Sequence, residues 1–137
     1  MRNIVVGVDG STPSWRALSL AMSIARSYNA RVLACCVWHT PASLEMAVFA
    51  MPVVPVIEEG TDGGELGKKV REELVLAGVE GDFSRREGDI SQELEALAES
   101  CRADLIVVGR SRHAALHLGG VPRRLLSMGR RPVVVVP

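Results

Sequence analysis

Two apolar runs in this chain end in glycine, and each glycine opens a turn rich in groups that hold small polar ligands. The first is Ile4-Val5-Val6-Gly7-Val8-Asp9-Gly10-Ser11, a strand-like run that breaks into an Asp-Gly-Ser turn. The second is Leu105-Ile106-Val107-Val108-Gly109, followed by Arg110, Arg112, His113, His117 and the pair Gly119-Gly120. Glycine at a strand end lets backbone N–H groups approach a ligand, and arginine adds charge-assisted, bidentate bonds to an anion. Set side by side, two such strand ends form the crevice where an open parallel sheet binds its ligands. The chemistry indicated is recognition of a small molecule, with an anionic part on the arginine side.

Other chemistries lack their residues. No G-x-x-x-x-G-K-[S/T], G-x-G-x-x-G or G-x-S-x-G occurs, so the signatures of a P-loop NTPase, a dinucleotide enzyme and an α/β-hydrolase are missing. An ATP-pyrophosphatase would want Ser-Gly-Gly-x-Asp-Ser after the first strand, where Asp9-Gly10-Ser11-Thr12 stands instead. His113 and His117 fit one helical face, but no carboxylate or cysteine nearby completes a metal site. No metal is expected. No general base is placed beside the crevice, so the expected class is not an enzyme.

The composition bounds the rest. A chain of 137 residues makes one domain, 1–137, with a real core. The first strand begins almost at once, which predicts no signal peptide. The apolar stretch Ala47 to Ile57 is too short and too broken by proline to span a bilayer, so no membrane partner is expected. Cys35, Cys36 and Cys101 form an odd set without metal-ligand spacing, which fits a reducing cytoplasm. The zero net charge hides an asymmetry. All sixteen acidic residues lie in residues 1–104, leaving that part at −6 and residues 105–137, with Arg110, Arg112, Arg123, Arg124, Arg130 and Arg131, at +6. That tail reads either as an anion site or as a solvated basic face matched by acidic helices, or as a dimer rim. Without interleaved aromatics it does not read as a nucleic-acid surface.

Periodicity places these residues on alternating elements. Thr12 before Pro13 is the expected N-cap of a first helix through Leu18, Ala21, Met22 and Ala25, stopping at Asn29. A second strand covers Arg31 to His39, with Cys35 and Cys36 on opposite faces. Pro41 to Gly64 is a long connection whose apolar part, Phe49 to Ile57, is a candidate contact surface for a protein partner. A helix through Leu66, Val70, Leu74 and Ala77 ends near Gly78, and a strand follows at about Gly81 to Arg86. Asp89 or Ser91 caps the next helix, which buries Leu94, Leu97, Ala98 and Cys101. After the fourth strand, a helix through Val121, Leu125 and Met128 leads to a last strand, Pro132 to Val136. Strict alternation predicts an α/β fold: a five-stranded parallel, doubly wound (Rossmann-like) sheet with helices on both faces. Right-handed crossovers and a central first strand give order 3-2-1-4-5. The last strand is then a Val-rich edge, and Val133 to Val136 paired with a second copy across a two-fold axis would cover it.

From end to end the chain resembles the universal stress protein family. The resemblance rests on the opening Ile-Val-Val-Gly-Val-Asp-Gly-Ser-Thr-Pro-Ser, on Leu105-Ile-Val-Val-Gly with its Gly/Arg loop, and on Arg131-Pro-Val-Val-Val-Val. It implies the fold above, a homodimer through the last strand, and a cytoplasmic role in stress or dormancy. Members that hold ATP carry G-x2-G-x9-G-[S/T] after the fourth strand. Here Gly109 matches the first glycine, Arg112 stands in place of the second, and Gly119-Gly120 match the final pair. Six residues rather than nine separate Arg112 from Gly119, and Gly120 replaces the hydroxyl residue.

On the other wall, Asp9 matches the acidic residue that members use near ribose and adenine, and Val37 the position that lines the base. Asp9 also reads as a brace for its own turn, and Val37 as core. Trp38 either stacks on a base or packs under the long connection. The candidate nucleotide set is therefore Asp9, Val37, Val108, Gly109, Arg112, Gly119, Gly120 and Val121. Two functions follow. The altered loop points to a regulatory or scaffold dimer with a degraded nucleotide site and no required cofactor. The retained glycines point instead to a sensor that binds ATP or another adenine nucleotide, with slow hydrolysis at most.

Overall fold

The structure, a computed structural model, describes residues 1–38, 63–110 and 120–137. Nine elements alternate along it: β1 (Asn3–Gly7), α1 (Thr12–Tyr28), β2 (Arg31–Trp38), α2 (Gly64–Ala77), β3 (Gly81–Glu87), α3 (Ile90–Ser100), β4 (Leu105–Gly109), α4 (Val121–Met128) and β5 (Val133–Val136). The strands form one sheet in the order β3-β2-β1-β4-β5, as the alternation predicts. Every pairing is parallel, with Val5 opposite Leu33 on one side and Ile106 on the other. The buried stretches of the central strands, Ile4–Val6 and Leu105–Val108, are runs of valine, isoleucine and leucine, because a sheet covered on both faces leaves no side for polar residues.

Helices cover both faces. Ile4 and Val6 point into a layer with Ala17, Leu18 and Ala21 of α1 and Val70 and Leu74 of α2. Val5 and Ile106 point the other way, onto Leu94 and Ala98 of α3 and Leu125 of α4. Cys36 and Cys35 divide between the two layers, as adjacent strand residues must. Burial pushes the Cys36 thiol up to about 11.

Capping differs from expectation at one place. Ser11, not Thr12, is the N-cap of α1, its Oγ accepting from the Ser14 N–H at 3.3 Å. Pro13 is the second helical residue and has no N–H, so the Ser11 cap bond comes from Ser14, the third. The other ends agree: Asn29 and Gly78 close α1 and α2 in the left-handed region, and Asp89 caps α3 by accepting from Gln92. Cys101, expected on the buried face of α3, is its half-buried C-cap.

The sequence pattern gave no sign of a buried ion pair. Glu95 of α3 is only 1% exposed, and its Oε2 accepts from Arg131 Nε at 2.9 Å. The Arg131 side chain, 10% exposed, also reaches Glu99 Oε2 at 2.8 Å and the Ala103 carbonyl at 3.0 Å. Arg131 therefore pins the entry of β5 to α3 rather than adding to a basic surface. Arg124 is held likewise, at 2.6 Å from Asp89. Removing one partner of a buried pair leaves the other charge uncompensated, which costs about 3–5 kcal/mol, whereas an apolar pair of similar volume is often neutral. Arg131→Met should therefore lower unfolding stability by that amount and Arg131→Met with Glu95→Leu should restore most of it. Urea unfolding of both variants measures the difference; equal losses would show that the pair is not the origin of the cost.

Candidate functional site

β1 and β4 lie side by side, and the chain leaves them in opposite directions. β1 runs into α1 on one face of the sheet, while β4 leads on toward α4 on the other. Their carboxyl ends part at this switch point and leave a cleft of about 250 Å³. Gly7, Val8, Cys35, Val37 and Val108 come from the sheet, and Ile90, Leu94 and Val121 from α3 and α4. Asp9, Ser11 and Ser14 form a polar side at the start of α1, and Gly109 and Arg110 stand at the end of β4. An apolar floor with a few converging polar groups is the usual make-up of a small-molecule site.

The polar side is held rigidly. Asp9 Oδ1 accepts from the Ser11 N–H at 2.8 Å, as an Asp bracing its own turn does. Ser14 Oγ donates to the Ser11 carbonyl at 2.9 Å and accepts from the Asp9 N–H at 3.3 Å. Gly10 supplies the left-handed backbone, φ +85°, that the turn requires. Partial burial disfavours the Asp9 carboxylate, but hydrogen bonds from Ser11 and Ser14 and from its own backbone outweigh this and hold its carboxyl below the ordinary 3.8. At neutral pH Asp9 is an ionised acceptor and lines the cleft at the same time as it braces the turn. Burial raises the Cys35 thiol, against smaller opposing effects of Ser84 and Arg86.

Gly109 fills a different need from the one its motif suggests. A Cβ there would lie 2.5 Å from the carbonyl carbon of Pro13 and 2.7 Å from the Ser14 nitrogen. β4 thus runs directly against the first turn of α1, and the glycine is required by packing whether or not a ligand approaches it. At Gly7 a Cβ would be less crowded, 3.3 Å from a Leu94 methyl and 3.4 Å from one of Val108.

Of the residues expected at the site, Asp9, Val37, Val108, Gly109 and Val121 line one cleft. Gly120 caps α4 next to Val121 but is not part of the lining. Arg112 and Gly119 lie outside the described residues, as do His39, His113, His117 and the Phe49–Ile57 stretch. Trp38 points to the face opposite Val37, is 52% exposed, and carries the Arg85 guanidinium 4.5 Å from its ring centroid. Sequence reasoning did not put Ser14, Cys35, Ile90 or Leu94 at the site. The spacing Ser11-x-x-Ser14 was a legible signal for the first, while Leu94 was indistinguishable from ordinary core.

A parallel doubly wound sheet with its cleft at the switch point defines the class: an α/β protein whose crevice lies between two diverging strand ends, where folds of this kind hold their ligands. Residues 1–137 match the model of the universal stress protein family, and the chain belongs to that family. Universal stress protein MJ0531 of Methanocaldococcus jannaschii is 31% identical over 148 residues, covering 98% of this chain and 81% of that protein. A crystal structure from the same family in Burkholderia pseudomallei is 26% identical, with a TM-score of 0.71 over 98% of this chain and 95% of the other. The universal stress protein from Archaeoglobus fulgidus in complex with dAMP shares the fold at 19% identity, with a TM-score of 0.69 over 100% and 98% of the two chains.

The close approach at Gly109 yields a direct expectation. Gly109→Ala forces the backbone of β4 and α1 apart and should cost about 1–3 kcal/mol, as overpacking generally does. Thermal unfolding checks this, with Gly10→Ala compared for its backbone strain alone, since nothing lies within 4 Å of a Cβ there. An unchanged midpoint for Gly109→Ala would show that the contact does not constrain the cleft.

Proposed function

We propose that this universal stress protein is a non-catalytic, cytoplasmic regulatory module that responds to an adenine nucleotide bound in the β1/β4 cleft. The observation that carries the reading is the cleft itself, with its apolar floor between Val37, Leu94 and Val108 and one polar side held by Asp9, Ser11 and Ser14. A flat base fits the floor, and an ionised Asp9 suits ribose hydroxyls, because a carboxylate only accepts hydrogen bonds. Phosphate belongs at the other end, toward Arg110 and the start of α4. There Gly120 offers no side-chain cap and the first turn carries no acidic residue. The dAMP complex of the Archaeoglobus fulgidus relative is consistent with such a ligand.

Neither titratable side chain on the described sheet and α1 walls is tuned for catalysis at neutral pH. A general base works best with a pKa near the operating pH, and Asp9 is held low while the Cys35 thiol is held up. A second copy pairing along Val133–Val136 completes the reading, since β5 is an edge strand with Val135 40% exposed.

The loop after β4 decides which nucleotide binds best. With Arg112 in place of a glycine and three residues fewer before Gly119, its sequence departs from the glycine motif of ATP-holding members. Carried further, the same observation supports the second reading, a scaffold with a decayed site acting through protein contacts. Thermal unfolding with AMP, ADP, ATP and pyrophosphate separates the two. A ligand at 100 times its dissociation constant adds about 2.7 kcal/mol, a rise of a few degrees for a domain of this size. AMP should raise the midpoint at least as much as ATP does. A rise with pyrophosphate alone would reduce the site to a generic anion site, and no rise with any of the four would favour the scaffold.

A further inference from the structure

The cleft is small for a nucleotide. Its 250 Å³ falls below the roughly 300–1,000 Å³ common for small-molecule sites, so a bound nucleotide extends past at least one end. At the end away from Arg110 the floor finishes in Cys35 and Val37 of β2. The next strand outward, β3, places Ser84 beside Cys35 and Arg86 beside Val37, in parallel register and on the same face. Arg86 Nη1 bonds Glu93 Oε2 of α3 at 3.2 Å, and both side chains are about two-thirds shielded from solvent, at 33% and 31% exposure. That bond is the one hydrogen bond either head group makes among the described residues. The guanidinium keeps N–H donors, and the carboxylate keeps acceptor capacity. Gly88 belongs to the same arrangement. Its φ is +139°, and a Cβ there would lie 3.2 Å from the Glu93 Cγ and Oε1, so the glycine leaves room for Glu93 to lean toward Arg86. The influence of both charges on the Cys35 thiol supports their position beside the floor.

We propose that Arg86 and Glu93 read the edge of the base, making this half-shielded ion pair the element that selects an aminopurine. A base lying over Val37 and protruding toward β3 meets a donor and an acceptor side by side. Adenine presents the complement on one edge: a 6-amino donor for Glu93 next to a ring nitrogen that accepts from Arg86. A lone positive or negative group would bind an anion or cation there without selecting a base; the pair selects for adjacent donor and acceptor. This inference rests on the nucleotide reading of the cleft.

The test is calorimetric titration of the full chain, Glu93→Leu and Arg86→Met with three ligands: AMP, the 5′-monophosphate of purine riboside, which lacks the 6-amino group, and GMP. The native chain should bind AMP about tenfold more tightly than the deaminated analogue, the usual worth of one added hydrogen bond. Glu93→Leu should remove that preference by weakening AMP about tenfold while leaving the analogue unchanged, and Arg86→Met should weaken both. A preference retained in both variants overturns the proposal and leaves the nucleotide reading standing. Tighter binding of GMP than of AMP also overturns it, as does loss of all three ligands together with a lowered unfolding midpoint, which would make the pair a structural brace. Absence of binding by the native chain overturns both readings together.

Discussion

The approach of β4 to the first turn of α1 across Gly109 is the contact on which the site depends. It brings a strand end and a helix start within van der Waals range and so fixes the distance between the two walls of the cleft. The Asp9–Ser11–Ser14 bonds then lock the turn that faces it. Local chemistry and global topology agree here. The Asp-Gly-Ser turn suits the exit from β1, and that exit lies at the point where the sheet's crossovers reverse.

The opposite wall is built differently. Ile90, Leu94 and Val121 stand on two helices that no backbone ladder holds together, so side-chain pairs do it. Arg124 joins α4 to the cap of α3 at Asp89, Arg86 joins β3 to α3 at Glu93, and Arg131 binds the entry of β5 to α3. Arginines thus tie α3 to β3, to α4 and to the entry of β5. Part of the uneven charge along the chain is thereby explained: two arginines of the basic tail, Arg124 and Arg131, have their partners on α3 or at its cap. The reading of that tail as a basic face matched by acidic helices holds for Arg124 and Arg131, although Arg131 is buried rather than solvated.

The fold was legible because every level of the sequence pointed the same way. Strand runs of four to eight residues, apolar in all but β3, alternate with apolar spacing of three and four, and Asn29, Gly78 and Asp89 mark the helix ends. One cap was misplaced by a residue because Thr12 and Ser11 are both good caps, and proline is accepted in the first turn after either. The site was half legible. Asp9, Val37, Val108, Gly109 and Val121 could be found from strand ends and a family motif. Leu94 and Ile90 could not, since a residue that lines a cleft and one that fills a core share the same helical spacing. The buried Glu95 was invisible for a related reason: a charge on a helix reads as solvent-facing until the partner that shields it is known.

The central claim is that ligand recognition occurs between the carboxyl ends of β1 and β4. The measurement that tests it most directly is a titration of the isotope-labelled protein with AMP, following the amide resonances by NMR. Saturable shifts concentrated at Gly7, Asp9, Ser11, Val37, Val108, Gly109 and Val121, with α2 unaffected, are the predicted result. Shifts confined to other parts of the molecule, or none at millimolar AMP, would contradict the account.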